Sequence, residues 1–379
     1  MTSLHPNICV LIPTYNHARY VAQCLQSILS QTLRPTKIKV FDDYSVDGTW
    51  DIIQNFASRE PNIFEVFRND RNIGPYENGL RVWAAVDGDY CAFIEGDDFW
   101  CADKLKGEYD ALLAYPEAGA AYSNIALTDE EGKVTCLFHH PNDGPMQSGN
   151  IFELIATRRI FPRTRNCFRN YLFRTECFRS LNWRLDNDIP TMGDYNLHLC
   201  FTERYPFAAS RNTSPMVFYR RHQGGVSQNR HDVHFAQMLI YEKYDESFNR
   251  LPVEQELNCR VFQETQLSFM RADFPEDKSM YYAPGAVYER MINRIAALPP
   301  EMVDKIWRTN IDLFRQLTIG QIVELFREGR DQEALAAWLR YYRNEIHPLD
   351  GWFSLTPEIY SRLQAAHRSY LNSRKVQYV

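Results

Sequence analysis

Residues 90–100 read YCAFIEGDDFW: an apolar run, Tyr90-Cys-Ala-Phe-Ile94, that stops at Glu95-Gly-Asp-Asp-Phe-Trp100. Four to eight apolar residues bounded by a turn signal describe a strand buried on both faces. Three carboxylates, Glu95, Asp97 and Asp98, then follow with only Gly96 between them. Like charges that close repel unless a cation sits among them. An exposed turn with Asp98 capping a helix accounts for one of the three, but not for three after a buried strand.

The flanking sequence repeats the pattern. Ile8-Cys-Val-Leu-Ile12 ends at Pro13-Thr14-Tyr15, Lys37-Ile-Lys-Val-Phe41 ends at Asp42-Asp43, and Phe64-Glu-Val-Phe67 ends near Asn69-Asp70. Helical spacing separates these strands: Val21, Cys24, Leu25, Ile28 and Leu29 in a helix that Asn16 can cap, a helix from about Asp47, one through Leu80 to Val86, and one from Asp103 toward Leu113. Gly119-Ala-Ala-Tyr122 adds a further short strand. Strands alternating with helices predict an α/β fold, a mostly parallel sheet flanked by helices, whose ligands gather at the carboxyl ends of the strands. Four successive strand ends present polar, mostly acidic groups to that one rim.

Composition sets the outer limits. The 379 residues are 45% hydrophobic and 14% aromatic, enough for one large or two medium domains. After about residue 230 the texture turns helical, with Phe235, Met238 and Leu239, then Ile322, Leu325 and Phe326, then Leu335, Trp338, Leu339 and Tyr342 at helical spacings. The boundary is therefore expected at 230, with a catalytic domain over 1–230 and an all-helical region over 231–379. A net charge of −6 gives no overall basic field and argues against nucleic acid as a partner. Nine cysteines without a C-x-x-C pair read as reduced thiols, and no apolar run reaches the ~20 residues of a membrane span. With no secretory signal at the start, the expected location is cytoplasmic, with peripheral attachment to the inner membrane face left open.

Two cofactor motifs deserve exclusion. Asp43-x-Ser45-x-Asp47-Gly48 resembles a calcium loop, but the twelfth position is Gln54 and a strand precedes it. No G-x-G-x-x-G or P-loop is present, which argues against dinucleotide oxidoreductases and P-loop enzymes. A hard divalent cation, Mg²⁺ or Mn²⁺, held by carboxylates and substrate phosphates is the reading that remains for the acidic rim.

Six motifs in order carry a resemblance: Ile12-Pro-Thr-Tyr-Asn16, Phe41-Asp-Asp-Tyr-Ser-Val-Asp-Gly-Thr49, Asn72-Ile-Gly74, Glu95-Gly-Asp-Asp-Phe-Trp100, Gly193-Asp194-Tyr195 and Tyr219-Arg-Arg-His222. Over residues 7–228 the chain resembles the family-2 glycosyltransferases of the GT-A fold. That resemblance implies transfer of a sugar, with inversion, from a nucleotide-diphosphate sugar (UDP-sugar favoured) to a glycan, lipid-linked or protein hydroxyl. It implies Pro13, Thr14 and Tyr15 around the nucleoside, Asp43 with Asp42 on the base, and Asn72 and Gly74 along the nucleotide. Glu95, Gly96, Asp97 and Asp98 match the acidic motif, with Asp97 the metal ligand and Glu95 a partner of either the metal or the ribose. Asp194 matches the catalytic base, against the plainer reading of a helix cap. Arg220, Arg221 and His222 match a segment that closes on diphosphate or metal.

The run Arg158 to Arg169 is basic with interleaved aromatics, which reads as an acceptor groove, a membrane-surface patch or a solvated face. Trp100, Arg165 and Asn166 are the acceptor candidates. The C-terminal helices carry no chemical motif; oligomerisation, acceptor binding and docking to a membrane or partner enzyme stay open. Two other activities compete with sugar transfer: a sugar nucleotidyl- or phosphosugar transferase on a similar fold, and a catalytically inactive glycan-binding scaffold.

Overall fold

A computed structural model describes residues 5–163, 169–182, 193–222, 236, 239–241, 243–273, 298–309, 325, 329 and 330. The chain divides into two compact units, residues 1–240 and 241–379.

The first unit is built on a seven-stranded sheet. In chain order its first elements are β1 (Ile8–Thr14), α1 (Val21–Leu29), β2 (Lys37–Asp42), α2 (Thr49–Arg59), β3 (Phe64–Arg68), α3 (Gly74–Ala84) and β4 (Tyr90–Phe93). Then come β5 (Phe99–Trp100), α4 (Lys104–Ala114), β6 (Ala120–Tyr122), β7 (Ile125–Thr128), β8 (Val134–Leu137) and α5 (Phe152–Ala156). The unit continues with β9 (Leu172–Arg174), α6 (Thr175–Ser180), α7 (Gly193–Arg204), β10 (Phe207–Ala209) and β11 (Val217–Arg220).

The strand order is β10-β6-β9-β4-β1-β2-β3. All neighbours are parallel except β9, which runs antiparallel to both β4 and β6. Ile8, Cys9, Val10, Leu11 and Ile12 are each at most 1% exposed. Helices on both faces cover such a strand, which is why its sequence is a continuous apolar run instead of an alternation. The parallel registers Thr14 to Asp42 and Leu11 to Phe93 bring the ends of β1, β2 and β4 to one edge.

A second, four-stranded sheet, β5-β11-β7-β8, lies beyond that edge. Its β11 pairs antiparallel with β5 and parallel with β7. Residues 217–220, distant in sequence, are thereby brought beside the turn that follows β4.

A buried ion pair ties the two halves of the main sheet together. Lys104 and Glu108 on α4 are both fully buried, with Nζ 2.9 Å from Oε2. Glu108 also accepts from Ser123 Oγ and from the Leu172 backbone N–H, each at 2.8 Å. The Lys104 ammonium lies 4.0 Å from the centre of the Trp100 ring. One carboxylate thus anchors α4 both to the segment after β6 and to β9.

Asn16 does not cap α1, whose preceding residue, Tyr20, makes no side-chain cap bond. Asn16 instead adopts a left-handed conformation, φ 53°, and its Oδ1 accepts the Val46 N–H while its own N–H donates to Ser45 Oγ. It therefore locks the loop after β1 to the loop after β2.

In the second unit, helices span Asp245–Asn249, Val253–Asp273 and Pro300–Thr309. Among the described residues no helix is long and apolar enough to cross a membrane. The eight described cysteines are free. Ile322, Phe326, the set from Leu335 to Tyr342, Phe235 and Met238 lie outside the described residues.

Candidate active site

The rim formed by the ends of β1, β2 and β4 gathers most of the residues singled out from sequence, in two layers. The lower layer is buried and fully bonded. Asp42 has no exposure; its carboxylate accepts the Ser45 hydroxyl and N–H, and Arg68 Nε lies 3.4 Å away. Asp43, 2% exposed, accepts from Asn69 Nδ2 at 2.7 Å and from the backbone N–H groups of Ile73 and Gly74 at 2.9 Å. A carboxylate bonding free N–H groups at the start of α3 satisfies the helix terminus and complements its dipole. Asp43 thereby positions Asn72, which is exposed, and Gly74, whose φ of 88° favours glycine and whose missing side chain leaves open space.

Asp98 also belongs to the lower layer. It is 1% exposed, accepts the Arg220 N–H at 2.9 Å and faces Asn170 Nδ2 at 3.3 Å. Burial first, then Asp97 and Glu95, push its pKa well above the ordinary carboxylate range. Arg220 is 3% exposed and every guanidinium nitrogen is committed: Nε to the Asp97 carbonyl, the other two to the Glu130 carbonyl and to Gln23 Oε1. The expectation that Arg220 grips a diphosphate is thus corrected; it staples β11 to the acidic turn. Trp100 is corrected in the same way, since at 4% exposure its ring lies in the core and not on an acceptor surface.

The upper layer faces outward. Tyr15 is 42% exposed, Pro13 is half-buried, and the Pro13 carbonyl accepts the Gly96 N–H at 3.1 Å. Gly96 is sterically required: a Cβ there would lie 2.6 Å from Thr14 Oγ1 and 3.1 Å from His17 Nδ1. Only without a side chain can the ends of β1 and β4 approach this closely.

Asp97 is the centre of the layer. Its Oδ2 lies 2.9 Å from His222 Nε2 and 3.7 Å from His17 Nε2. His17, Asp97 and His222 each offer one donor atom, all within 4.8 Å of one another, a set suited to a metal ion. Burial would raise the Asp97 pKa, but the His222 hydrogen bond and the His17 imidazole outweigh it and hold the carboxyl below its usual value. The same bond raises the His222 pKa, whereas burial lowers that of His17. His17 escaped the sequence reading; its one signal was its place directly after Pro13-Thr-Tyr-Asn16.

Glu95 stands beside this set. Its Oε2 is buried with no hydrogen-bond partner among the described residues, and its Oε1 is 3.9 Å from Arg169. Burial raises its pKa, Arg169 opposes the shift and Asp97 adds to it. Arg169 stacks over Tyr219 at 3.9 Å. An orphaned carboxylate oxygen and an N,O donor set beside it fit a divalent cation, with imidazole favouring Mn²⁺ over Mg²⁺.

Asp194 is exposed at the second position of α7 and is near enough to act electrostatically on Glu95, Arg169 and His198. Arg221 is exposed, and its N–H bonds the Thr128 carbonyl at 2.9 Å. The basic run is largely consumed internally: Arg158 lies over Tyr195, Arg159 is 3.9 Å from Glu153, and Arg163 forks onto Asp143. Arg169, at the end of the run, joins the acidic rim through Glu95. Arg165, Asn166 and the Gly224-Gly225 pair lie outside the described residues.

Residues 9–191 match the family model described as glycosyl transferase family 2. An uncharacterized protein of Mycobacterium tuberculosis is 32% identical over 121 residues, 31% of this chain and 35% of that protein. The putative teichuronic acid biosynthesis glycosyltransferase TuaG of Bacillus subtilis is 30% identical over 142 residues, 37% of this chain and 55% of TuaG. The chain thus spans about a third to a half of the length of these curated relatives. Among solved structures, S. aureus TarS 1-349 in complex with UDP-GlcNAc superposes with a TM-score of 0.54 at 17% identity, covering 85% of this chain and 92% of that one. At that identity the likeness establishes the fold.

Proposed function

We propose that this chain, a family-2 glycosyltransferase with the GT-A fold, transfers a sugar with inversion from a UDP-sugar to a hydroxyl of a glycan, lipid-linked or protein acceptor, aided by a divalent cation. The convergence of His17, Asp97 and His222 next to Glu95, with Asp194 on α7 near enough to act electrostatically on Glu95, carries the reading. The names of two relatives, teichuronic acid biosynthesis for one and chondroitin synthase for an Escherichia coli protein 22% identical over 251 residues, support a glycan acceptor.

In this reading the nucleoside lies against Pro13, Thr14 and Tyr15, over the α3 terminus that Asp43 holds in place. Asp97 and His222 would hold the cation, which would supply positive charge to the departing diphosphate. The acceptor oxygen forms its bond to the anomeric carbon as the bond to the β-phosphate oxygen breaks. Asp194 takes the proton that the hydroxyl gives up. Arg169 and Arg221 supply positive charge at the edge of the cleft. Residues 1–230 form the catalytic domain, and the helical region 231–379 serves oligomerisation, acceptor or partner contact.

A panel of UDP-, GDP- and dTDP-sugars with Mn²⁺ or Mg²⁺ tests the donor: one UDP-sugar should raise the melting temperature and be slowly hydrolysed. Silence across the panel, with and without metal, overturns the donor assignment. Asp194→Asn should keep donor binding and lower transfer by about 10²–10⁴-fold. Retained transfer would remove Asp194 as the base.

A further inference from the structure

The acidic motif and the histidine of the Tyr219–His222 segment account for two donors at the metal position, and His17 stands there as a third. We infer that His17 is a direct ligand of the cation, making the site a two-imidazole, one-carboxylate set that discriminates against Mg²⁺. This rests on the reading that Asp97 holds a divalent cation.

Three observations converge on it. The first is distance. Two ligands about 2.1 Å from one ion, at tetrahedral or octahedral angles, lie roughly 3.0–3.4 Å apart. His222 Nε2 at 2.9 Å and His17 Nε2 at 3.7 Å from Asp97 Oδ2 bracket that span. At 3.7 Å His17 makes no hydrogen bond to Asp97, so that bond is not what points Nε2 toward the carboxylate.

The second is orientation. His17 Nδ1 lies 3.2 Å from Thr14 Oγ1. With Nδ1–H donating to Thr14 Oγ1, the tautomer that a metal at Nε2 would select, the ring is fixed and the Nε2 lone pair faces the ion, the usual arrangement behind a ligating histidine. The third is the Gly96 contact. A Cβ at 96 would press on both Thr14 and His17, so glycine there is what lets the imidazole reach the end of β4.

The chemistry then sets a preference. A site with two imidazoles suits Mn²⁺, Co²⁺ or Zn²⁺, whereas Mg²⁺ prefers oxygen ligands and retained water. His17 thus contributes to which ion the enzyme uses, beyond holding any ion at all.

The test uses full-length protein freed of metal by chelator and dialysed, with Mn²⁺ and Mg²⁺ binding measured by calorimetry in the presence of UDP. Mn²⁺ bound to wild type should show nitrogen coupling from imidazole in pulsed electron paramagnetic resonance. His17→Ala and His17→Gln should weaken Mn²⁺ binding by about 10- to 100-fold. They should leave Mg²⁺ binding nearly unchanged and reduce the nitrogen coupling by one ring. Wild-type Mn²⁺ affinity and coupling in both variants overturn the role of His17, while loss of binding in Asp97→Asn keeps the metal site itself standing. Unchanged binding in Asp97→Asn, or none in wild type, overturns both readings. Using two variants with circular dichroism separates a lost ligand from a misfolded chain.

Discussion

Replacing Lys104 by Met removes an ammonium and keeps its volume, which isolates the charge of the buried pair. Nζ sits 2.9 Å from Glu108 Oε2 and 4.0 Å from the centre of the Trp100 ring, and neither charged group is exposed. Removing one partner of a buried pair costs about 3–5 kcal/mol, because the other charge is left uncompensated. Two donors, Ser123 Oγ and the Leu172 N–H, still serve the carboxylate, so the expected loss is at the lower end, about 3 kcal/mol at pH 7.5. For a unit of this size that is a drop in melting temperature of roughly 6–12 °C.

The pH dependence gives the sharper test. Burial already raises the Glu108 pKa, with Lys104 opposing. Without Lys104 the folded carboxyl holds its proton to still higher pH, while the unfolded one titrates at its ordinary value. The folded variant then binds more protons than the unfolded one, so its stability falls as pH rises between those two values, by up to about 1.4 kcal/mol per pH unit. The penalty relative to wild type should therefore be larger at pH 8 than at pH 5.5. Urea unfolding followed by tryptophan fluorescence at both pH values measures it, and Lys104→Met with Glu108→Gln should recover most of the loss. A cost below about 1 kcal/mol that does not change with pH would refute the account of a buried, charge-balanced pair.

Gly96→Ala should lower stability by about 1–3 kcal/mol, since the new methyl meets Thr14 at 2.6 Å, and should weaken Mn²⁺ binding by displacing His17. Thermal unfolding and calorimetry report the two effects separately, and a variant as stable as wild type would discount the close approach of β1 and β4. His198 is buried, and its pKa is lowered to about 4 by burial, with Asp194 opposing and Arg169 adding. Here the unfolded state binds the extra proton between pH 6.5 and 4, so stability falls as pH is lowered through that window, by at most about 3 kcal/mol. His198→Gln should flatten that part of the stability profile, and an unchanged slope would show that His198 does not carry it.

Strand ends and helix faces were readable in the sequence because they depend on neighbours a few residues away. The apolar runs at 8–12, 37–41, 64–67 and 90–94 became β1 to β4, and the helical spacings between them became α1 to α3. The place of Asp97 just beyond the end of β4 was also visible, since an apolar run that stops leaves a local trace. Asn16 was misread because a free side chain before a helix looks like a cap, whereas Asn16 bonds the loop thirty residues away. Arg220 looked like a phosphate ligand, because a sequence shows charge but not which acceptors surround it.

What the sequence determined by itself was the layered α/β plan and the acidic rim, both consequences of periodicity and of where apolar runs stop. Only the tertiary structure decided which carboxylates are free to act. Asp42, Asp43 and Asp98 are consumed by backbone and side-chain donors beneath the rim, whereas Asp97, against His222, and Glu95, with an orphaned oxygen, remain above it. It also decided that β9 enters the sheet antiparallel between β4 and β6, and that His17 and His222, 205 positions apart, meet over one oxygen. Those arrangements depend on long-range packing, where the partner of a group is set by the path of the whole chain and leaves no periodic mark in its own segment.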